Sequence, residues 1–164
     1  MEFIIIIVIV IASWIILGFA YQDIVKRQAF QHARKLTKEK GILNAGSGSS
    51  RSLTAKRIAS SPLVRVNIDI SCKETPHCLQ GDLNKKLPFP DKSFDVYYIS
   101  HVLEHLNNPE TAMREAQRVA DWVIVVLPPK WAITNWLDPD HKRIYSKRDI
   151  KILEKKYPGI KVFS

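Results

Sequence analysis

The chain has 164 residues, a length typical of one domain with short appended segments rather than of several domains. Lysine and arginine number 25 against 16 acidic residues, a formal net charge of +9 that suits anionic lipid or nucleic acid as a partner. Two cysteines, Cys72 and Cys78, are too few for a disulfide framework and do not have the spacing of a common zinc site, so a reducing compartment is the simpler expectation.

The N-terminal residues 3–20 contain no charged side chain. About 17 to 20 apolar residues are enough to cross a bilayer, so residues 1–21 are predicted to form a transmembrane anchor. A cleaved signal peptide is the alternative, because small residues lie near Ala20. The positive charge that usually begins such a peptide is absent, which favours the anchor.

Residues 22–40 are rich in lysine and arginine and predict a juxtamembrane helix that lies on anionic headgroups and ends at Gly41. Because this basic segment follows the anchor, the positive-inside tendency predicts a single-pass membrane protein whose C-terminal domain is cytoplasmic. The predicted domain organisation is therefore an anchor over 1–21, a basic helix over 22–40 and a catalytic or binding domain over 41–164.

From Gly41 onward, short apolar segments alternate with helical patterns. The continuous apolar segment DWVIVVLP is typical of a strand that is covered on both faces. Asn108 and Pro109 have the types expected at the N-cap and first position of a helix. The pattern predicts an open, mostly parallel α/β sheet with helices on both faces. Its strands are GILNAG, LVRVNIDI, FDVYYIS, DWVIVVLP and GIKVF, and its helices are SSRSLTAKRIAS, NPETAMREAQRVA and SKRDIKILEKKY.

The loop after the first predicted strand has the sequence NAGSGSS, residues 44–50. Its glycines allow a sharp turn and close approach of a ligand, although a flexible linker has the same composition. Asp69 ends the next strand, where a carboxylate can accept both hydroxyls of a ribose. The dinucleotide-binding fingerprint is incomplete, because Arg51 occupies its third glycine position.

These segments, together with GDLNKKLPFPDKSFDVYYISHVLEHLNNPETAMREAQRV and VIVVLPP, resemble class I S-adenosylmethionine-dependent methyltransferases. The likeness is greatest to the small-molecule, type-11-like subgroup that reads LPF…SFD…VLEH, and it extends from Gly41 to about Phe163. It implies a Rossmann-like fold, S-adenosylmethionine as cofactor and methyl transfer as the activity. The cofactor-binding residues that it implies are Asn44, Gly46, Gly48, Asp69, Asp82, Leu83 and Ser100.

The resemblance places His101 near the transferred methyl group and His141 near the acceptor. Histidine titrates near neutrality, so His101 is the first candidate for a general base and His141 the second. A structural role is the alternative for His101. Trp131, Trp136 and Tyr145 are candidates for an apolar acceptor pocket or for ordinary packing.

Two positions depart from the family pattern. Asn44 stands where an acidic residue is usual, and Ser50 replaces the third glycine. They support an alternative function, a catalytically degenerate methyltransferase-fold protein that acts as a membrane-tethered binding or interaction module. The family sheet has the strand order 3-2-1-4-5-7-6, and no residues follow GIKVFS to form the antiparallel seventh strand. We therefore expect either direct pairing of the fifth and sixth strands or a partner strand, from a homodimer or another protein, at a sheet edge.

His101 to His105 also match H-x-x-E-H, an inverted zinc-peptidase motif. The match begins where a predicted strand ends, and VLEH belongs to the methyltransferase likeness, so no metal is expected. The anchor favours a small-molecule or lipid-linked acceptor at a membrane. Nucleic acid is not favoured, because no base-stacking motif accompanies the basic residues.

Overall fold

A computed structural model describes residues 1–47, 52–72 and 75–164. A 3-10 turn, Leu103–His105, lies between β4 and α3. The helices and strands, in chain order, are α1 Glu2–Leu36, β1 Ile42–Ala45, α2 Leu53–Ala59, β2 Val64–Asp69, β3 Cys78–Gln80, β4 Phe94–Ser100, α3 Pro109–Val119, β5 Ala120–Val126, α4 Ile133–Leu137, α5 Lys147–Lys156 and β6 Ile160–Phe163.

The six strands form one parallel sheet in the order β3-β2-β1-β4-β5-β6. One hydrophobic core joins α1 and α2 to one face, and a second core joins α3 and α5 to the other. All four residues of β1 are buried, as expected when helices cover both faces of a strand. The predicted α/β, Rossmann-like fold is confirmed. The short strand β3 was not among the predicted strands, because its three partly exposed residues form no apolar run.

α1 is one continuous helix that joins the apolar N-terminal segment to the sheet. Its later residues Val25, Ala29 and Ala33 recur four apart and are buried against the sheet, in the segment predicted to lie on headgroups. The helix ends at Leu36, with Thr37 in an extended conformation, so the predicted end at Gly41 is wrong. The reason is Asp95, whose Oδ2 accepts hydrogen bonds from the backbone N–H groups of Lys38 (2.7 Å) and Gly41 (2.9 Å) and so directs the chain into β1.

The fifth and sixth strands pair directly and in parallel, with Val123 opposite Ile160 and Val126 opposite Phe163. This confirms one of the two arrangements that the sequence left open. A main-chain hydrogen bond of 2.9 Å from the Leu127 N–H to the Phe163 carbonyl continues the ladder one residue past the end of β5. The outer edge of β5 is therefore satisfied within the chain.

Cys72 and Cys78 form a disulfide, with their Cα atoms 5.6 Å apart. The sequence favoured a reducing compartment with no disulfide framework, and this disulfide is contrary to that expectation. The sequence concealed the pairing because a turn and the short strand β3, neither of them predicted, bring the two residues together. Disulfides are rare in the cytosol, so this bond weighs against the cytoplasmic placement of the domain.

Helix α5 begins with a capping box. Ser146 Oγ accepts a hydrogen bond from the Asp149 N–H at 3.3 Å, and the Asp149 carboxylate accepts one from the Ser146 N–H at 2.8 Å. We expect Ser146→Ala to lower the free energy of unfolding by about 1 kcal/mol. Thermal unfolding in detergent, followed by circular dichroism, measures the loss. Lys147→Ala, at the exposed first position of the same helix, is the control and should leave the midpoint unchanged; an equal loss in both variants would contradict the role of the cap.

Candidate active site

A cleft of about 660 Å³ opens at the carboxyl ends of β1, β2 and β4. The chain crosses from one side of β1 to the other at this point, which is where open α/β sheets bind ligands. The volume lies within the range of small-molecule sites, about 300 to 1,000 Å³. The cleft brings together five of the residues predicted from sequence, and these are Asn44, Gly46, Asp69, Ser100 and His101.

Gly46 forms the turn immediately after β1. Its φ of +78° lies in the left-handed region, and its N–H donates to the Ile68 carbonyl at 2.7 Å. A Cβ at this position would lie 2.1 Å from Cγ2 of Val102, so only glycine fits. Gly48, the second predicted glycine, lies outside the residues that the structure describes, and so does Ser50, which departs from the family pattern.

Asp69 is the last residue of β2 and lines the cleft. Its Oδ1 accepts a hydrogen bond of 2.8 Å from the Ser71 N–H, which orients the carboxyl group. Because it lies beside the Gly46 turn at the same sheet edge, it has the position expected of a carboxylate that binds a ribose diol.

Asn44 also lines the cleft, but its amide is used within the sheet. Its Nδ2 donates to Asn67 Oδ1 at 2.8 Å, and Asn67 Nδ2 in turn donates to the carbonyls of Ala59 and Pro76. Both side chains are buried. These hydrogen bonds link β1 to β2 and give the buried amide groups of both side chains partners within the protein.

Asp82 and Leu83 follow β3 and are not among the described residues that line the cleft. Asp82 Oδ1 accepts hydrogen bonds from the backbone and side chain of Asn84, and these bonds lower the pKa of Asp82. Leu83 is buried in the core that also holds α3. Their predicted contact with the cofactor stays a prediction.

His101 follows β4 with a φ of +55°, and its ring is directed into the sheet edge beside Glu104. Burial, with smaller contributions from Lys26 and two other histidines, lowers the pKa of His101 to about 3. The imidazole is therefore neutral near pH 7 and a weak proton acceptor. Its predicted role as general base is disfavoured, whereas a hydrogen-bonding role toward a bound ligand fits the neutral ring.

His141 is not among the cleft-lining residues that the structure describes. Its Nδ1 lies 2.9 Å from the Asn135 carbonyl, and its ring contacts that of His105, with centroids 4.6 Å apart. Sequence reasoning missed two neighbours, Glu104 and His105. Both residues belong to the H-x-x-E-H match, which could have indicated them but was rejected as evidence of a zinc peptidase. Burial raises the pKa of Glu104 to about 8.

The three aromatic residues that were candidates for an acceptor pocket or for ordinary packing, Trp131, Trp136 and Tyr145, do not line one common cavity in the part of the chain that the structure describes. Trp131 and Trp136 are 45% and 59% exposed beside α4, whereas Tyr145 packs on the core. Tyr21 of α1 contacts the Trp131 ring, with centroids 5.2 Å apart. The two tryptophans thus lie on the surface next to the long helix.

Comparison with known proteins agrees with this geometry. Residues 43–121 match a family described as a methyltransferase domain. This region is a class I, type-11-like methyltransferase domain. No curated protein matches the chain.

Solved structures share the fold of this methyltransferase domain. A SAM-dependent methyltransferase from Thermotoga maritima is 19% identical, with a TM-score of 0.56 over 90% of this chain and 79% of its own. The YcgJ protein of Bacillus subtilis is 20% identical, with a TM-score of 0.54 over 80% of this chain and 67% of its own. A SAM-dependent methyltransferase from Aquifex aeolicus is 17% identical, with a TM-score of 0.50 over 79% of this chain and 78% of its own.

Proposed function

We propose that the domain transfers a methyl group from S-adenosylmethionine to an acceptor carried by a membrane. The observation that supports this proposal most directly is that α1 leaves the domain at the sheet edge where the cleft opens. The family supports the reaction class. The position of the anchor relative to the cleft supports the source of the acceptor.

The cleft fits S-adenosylmethionine by its own chemistry. Gly46 makes a tight turn that lines the cleft, and Asp69 offers a carboxylate to a ribose. Ser47 Oγ and His101 Nε2 are buried, line the cleft and have no hydrogen-bond partner in the described part of the chain. Buried polar atoms of this kind are normally satisfied, so a polar ligand is expected to satisfy them.

The bound cofactor supplies an activated methyl group with a good leaving group. What remains for the protein is to hold the acceptor in line with that group, and such positioning contributes several kcal/mol to rate enhancement. His101, which lines the cleft with a neutral ring, is suited to orient one reactant by a hydrogen bond. Lys26 of α1 adds a cation to the same cleft.

The direction of α1 relates the cleft to the membrane. At its C-terminal end, the chain contacts Asp95 and Asp121, at the amino ends of β4 and β5. Further back, Lys26 lines the cleft at the carboxyl ends of the strands. The uncharged residues 3–20 therefore extend beyond the carboxyl edge, and they are long enough, at about 27 Å, to cross most of a hydrocarbon core.

Exposed apolar side chains beside α4 lie close to the base of that segment. Gly18 lies close to Ala132, because a Cβ added to Gly18 would be 3.7 Å from the Ala132 Cβ. The Tyr21 ring contacts the Trp131 ring. Trp131, Trp136 and Leu137 are all exposed. Tryptophan is enriched at the membrane interface, so this surface supports an orientation in which the cleft faces the headgroups.

A transfer assay tests the proposal. The full chain, purified in mild detergent and reconstituted into vesicles of the native lipid extract, is incubated with S-adenosylmethionine labelled at the methyl group. We expect label in the membrane fraction, and about 10-fold less or lower with the Asp69→Asn variant at a cofactor concentration that does not saturate the wild type. Transfer to soluble extract alone, or binding of cofactor with no transfer to any membrane component, would contradict it.

One observation favours the alternative function, a catalytically degenerate interaction module. Asn44, which replaces the usual acidic residue, donates its amide to Asn67 rather than to the cleft. Calorimetry separates the two functions, because the module predicts no heat of S-adenosylmethionine binding by the folded chain, whereas the enzyme predicts saturable binding.

A further inference from the structure

Glu104 lies in the 3-10 turn after β4 and has no exposed surface. Neither oxygen of its carboxyl group accepts a hydrogen bond from another side chain or backbone group in the described parts of the protein. The His101 Nδ1 atom, at 3.8 Å from Oε1, is beyond hydrogen-bond distance. Lys26 supplies a favourable charge interaction, but burying a carboxyl group without a hydrogen-bond partner costs several kcal/mol, so this group calls for a ligand.

Two histidines lie beside this carboxyl group, and each directs its Nδ1 atom to a backbone carbonyl. His105 Nδ1 lies 3.2 Å from the Asp140 carbonyl, and His141 Nδ1 lies 2.9 Å from the Asn135 carbonyl. A carbonyl oxygen only accepts, so each Nδ1 carries a hydrogen, and the nitrogen that can offer a lone pair to a metal ion is Nε2. Metal-binding histidines commonly have this arrangement, in which a backbone carbonyl fixes the ring.

The three groups are close enough to share an ion. Ligand atoms of Glu104, His105 and His141 all lie within 4.8 Å of one another. Tetrahedral ligands of zinc, at about 2.0 to 2.2 Å from the ion, lie somewhat over 3 Å apart, so small side-chain rotations would complete the site. The Asp138 carboxylate, 3.6 Å from His141 Nε2, adds a negative charge beside the cluster.

Main-chain hydrogen bonds hold the two halves of the cluster together. The Glu104 carbonyl accepts from the N–H groups of Lys142 at 2.9 Å and Arg143 at 3.2 Å. The Arg143 guanidinium also donates to the Leu106 carbonyl at 2.6 Å. The segment that contains His141 is therefore fixed against the 3-10 turn that contains Glu104 and His105.

We propose that Glu104, His105 and His141 bind a divalent transition-metal ion, with Zn²⁺ as the best match. Two imidazoles and one carboxylate are the ligands of many zinc sites that keep a position open. His105 lines the cleft, so the open position faces the space where the acceptor is expected. The site differs from the peptidase motif because His101 is not a ligand and the third ligand comes from a distant segment.

Metal binding to the full chain in detergent tests this site and needs neither cofactor nor methyl transfer. After treatment with chelator, the wild-type protein is titrated with Zn²⁺ by calorimetry and with Co²⁺ by visible absorption. We expect one equivalent of each ion and a Co²⁺ spectrum of low coordination number. Glu104→Gln, His105→Ala and His141→Ala should each weaken Zn²⁺ binding by about 100-fold or more.

His32→Gln and His77→Gln remove histidines outside the cluster and serve as matched controls that should bind Zn²⁺ as the wild type does. Circular dichroism verifies that each variant is folded. If Glu104→Gln is unfolded, His105→Ala is the decisive variant, because His105 lies at the surface side of the cluster. No uptake of Zn²⁺ by the wild type, or equal uptake by His105→Ala, would overturn the proposal. Cofactor calorimetry on the same samples reports separately on the proposed function.

Discussion

Gly46→Ala is expected to destabilise the domain by about 2 to 5 kcal/mol and to abolish measurable binding of S-adenosylmethionine. An alanine at φ +78° costs about 1 to 2 kcal/mol by itself. Its Cβ would lie 2.1 Å from Cγ2 of Val102, and relieving such overpacking typically costs about 1 to 3 kcal/mol more. Denaturant unfolding of the detergent-solubilised chain measures the stability, and calorimetry measures the binding.

Two further variants separate these contributions. Gly159 has nearly the same φ, +82°, but a Cβ there would lie at an ordinary 3.6 Å from the Asp121 carbonyl. Gly159→Ala should therefore show only the conformational cost. Val102→Ala in the Gly46→Ala background removes the methyl groups that clash, and we expect a favourable coupling of about 1 kcal/mol or more. Equal losses for Gly46→Ala and Gly159→Ala would show that the contact with Val102 is unimportant.

Asp69→Asn is expected to weaken S-adenosylmethionine binding by about 10- to 150-fold while the chain stays folded, since hydrogen bonds to a charged group contribute about 1.5 to 3 kcal/mol. The substitution keeps an oxygen that can accept from the Ser71 N–H and removes the charge that a ribose diol would contact. Calorimetry with S-adenosylmethionine and S-adenosylhomocysteine measures the change, and both ligands should lose affinity alike.

The controls for Asp69 lie at other strand ends. Asp121, which binds Lys40 at the opposite edge of the sheet, is a carboxylate remote from the cleft, so Asp121→Asn should leave affinity unchanged. Asp82→Asn tests the second carboxylate that the family likeness implies, which lies outside the described cleft lining. Undiminished binding by Asp69→Asn would remove this residue from the cofactor site.

The local patterns of the sequence were sufficient for most of the fold. Residues 108–120 contain their own helix signals, and the structure shows Asn108 accepting from the Thr111 N–H with Ala112, Met113, Ala116 and Val119 buried. The glycine turn and Asp69 were predictable as neighbours because parallel strands align their carboxyl ends at one edge. Such features depend on residues within one or two turns of each other, or on a rule of topology.

What the sequence by itself determined, then, is the parallel α/β architecture, the apolar N-terminal helix and the Gly46–Asp69 edge of the cleft. Only the tertiary structure decided that α1 continues onto the sheet, that Cys72 binds Cys78 and that His141 meets Glu104 and His105. The physical reason is that each of these contacts joins two segments that are distant in sequence or irregular in structure. The hydrophobic pattern within either segment is the same whether or not the contact forms. His141 is held near Glu104 by hydrogen bonds from the backbone N–H groups of Lys142 and Arg143 to the Glu104 carbonyl. Every residue except proline has such backbone groups, so the amino-acid sequence does not reveal which of them pair.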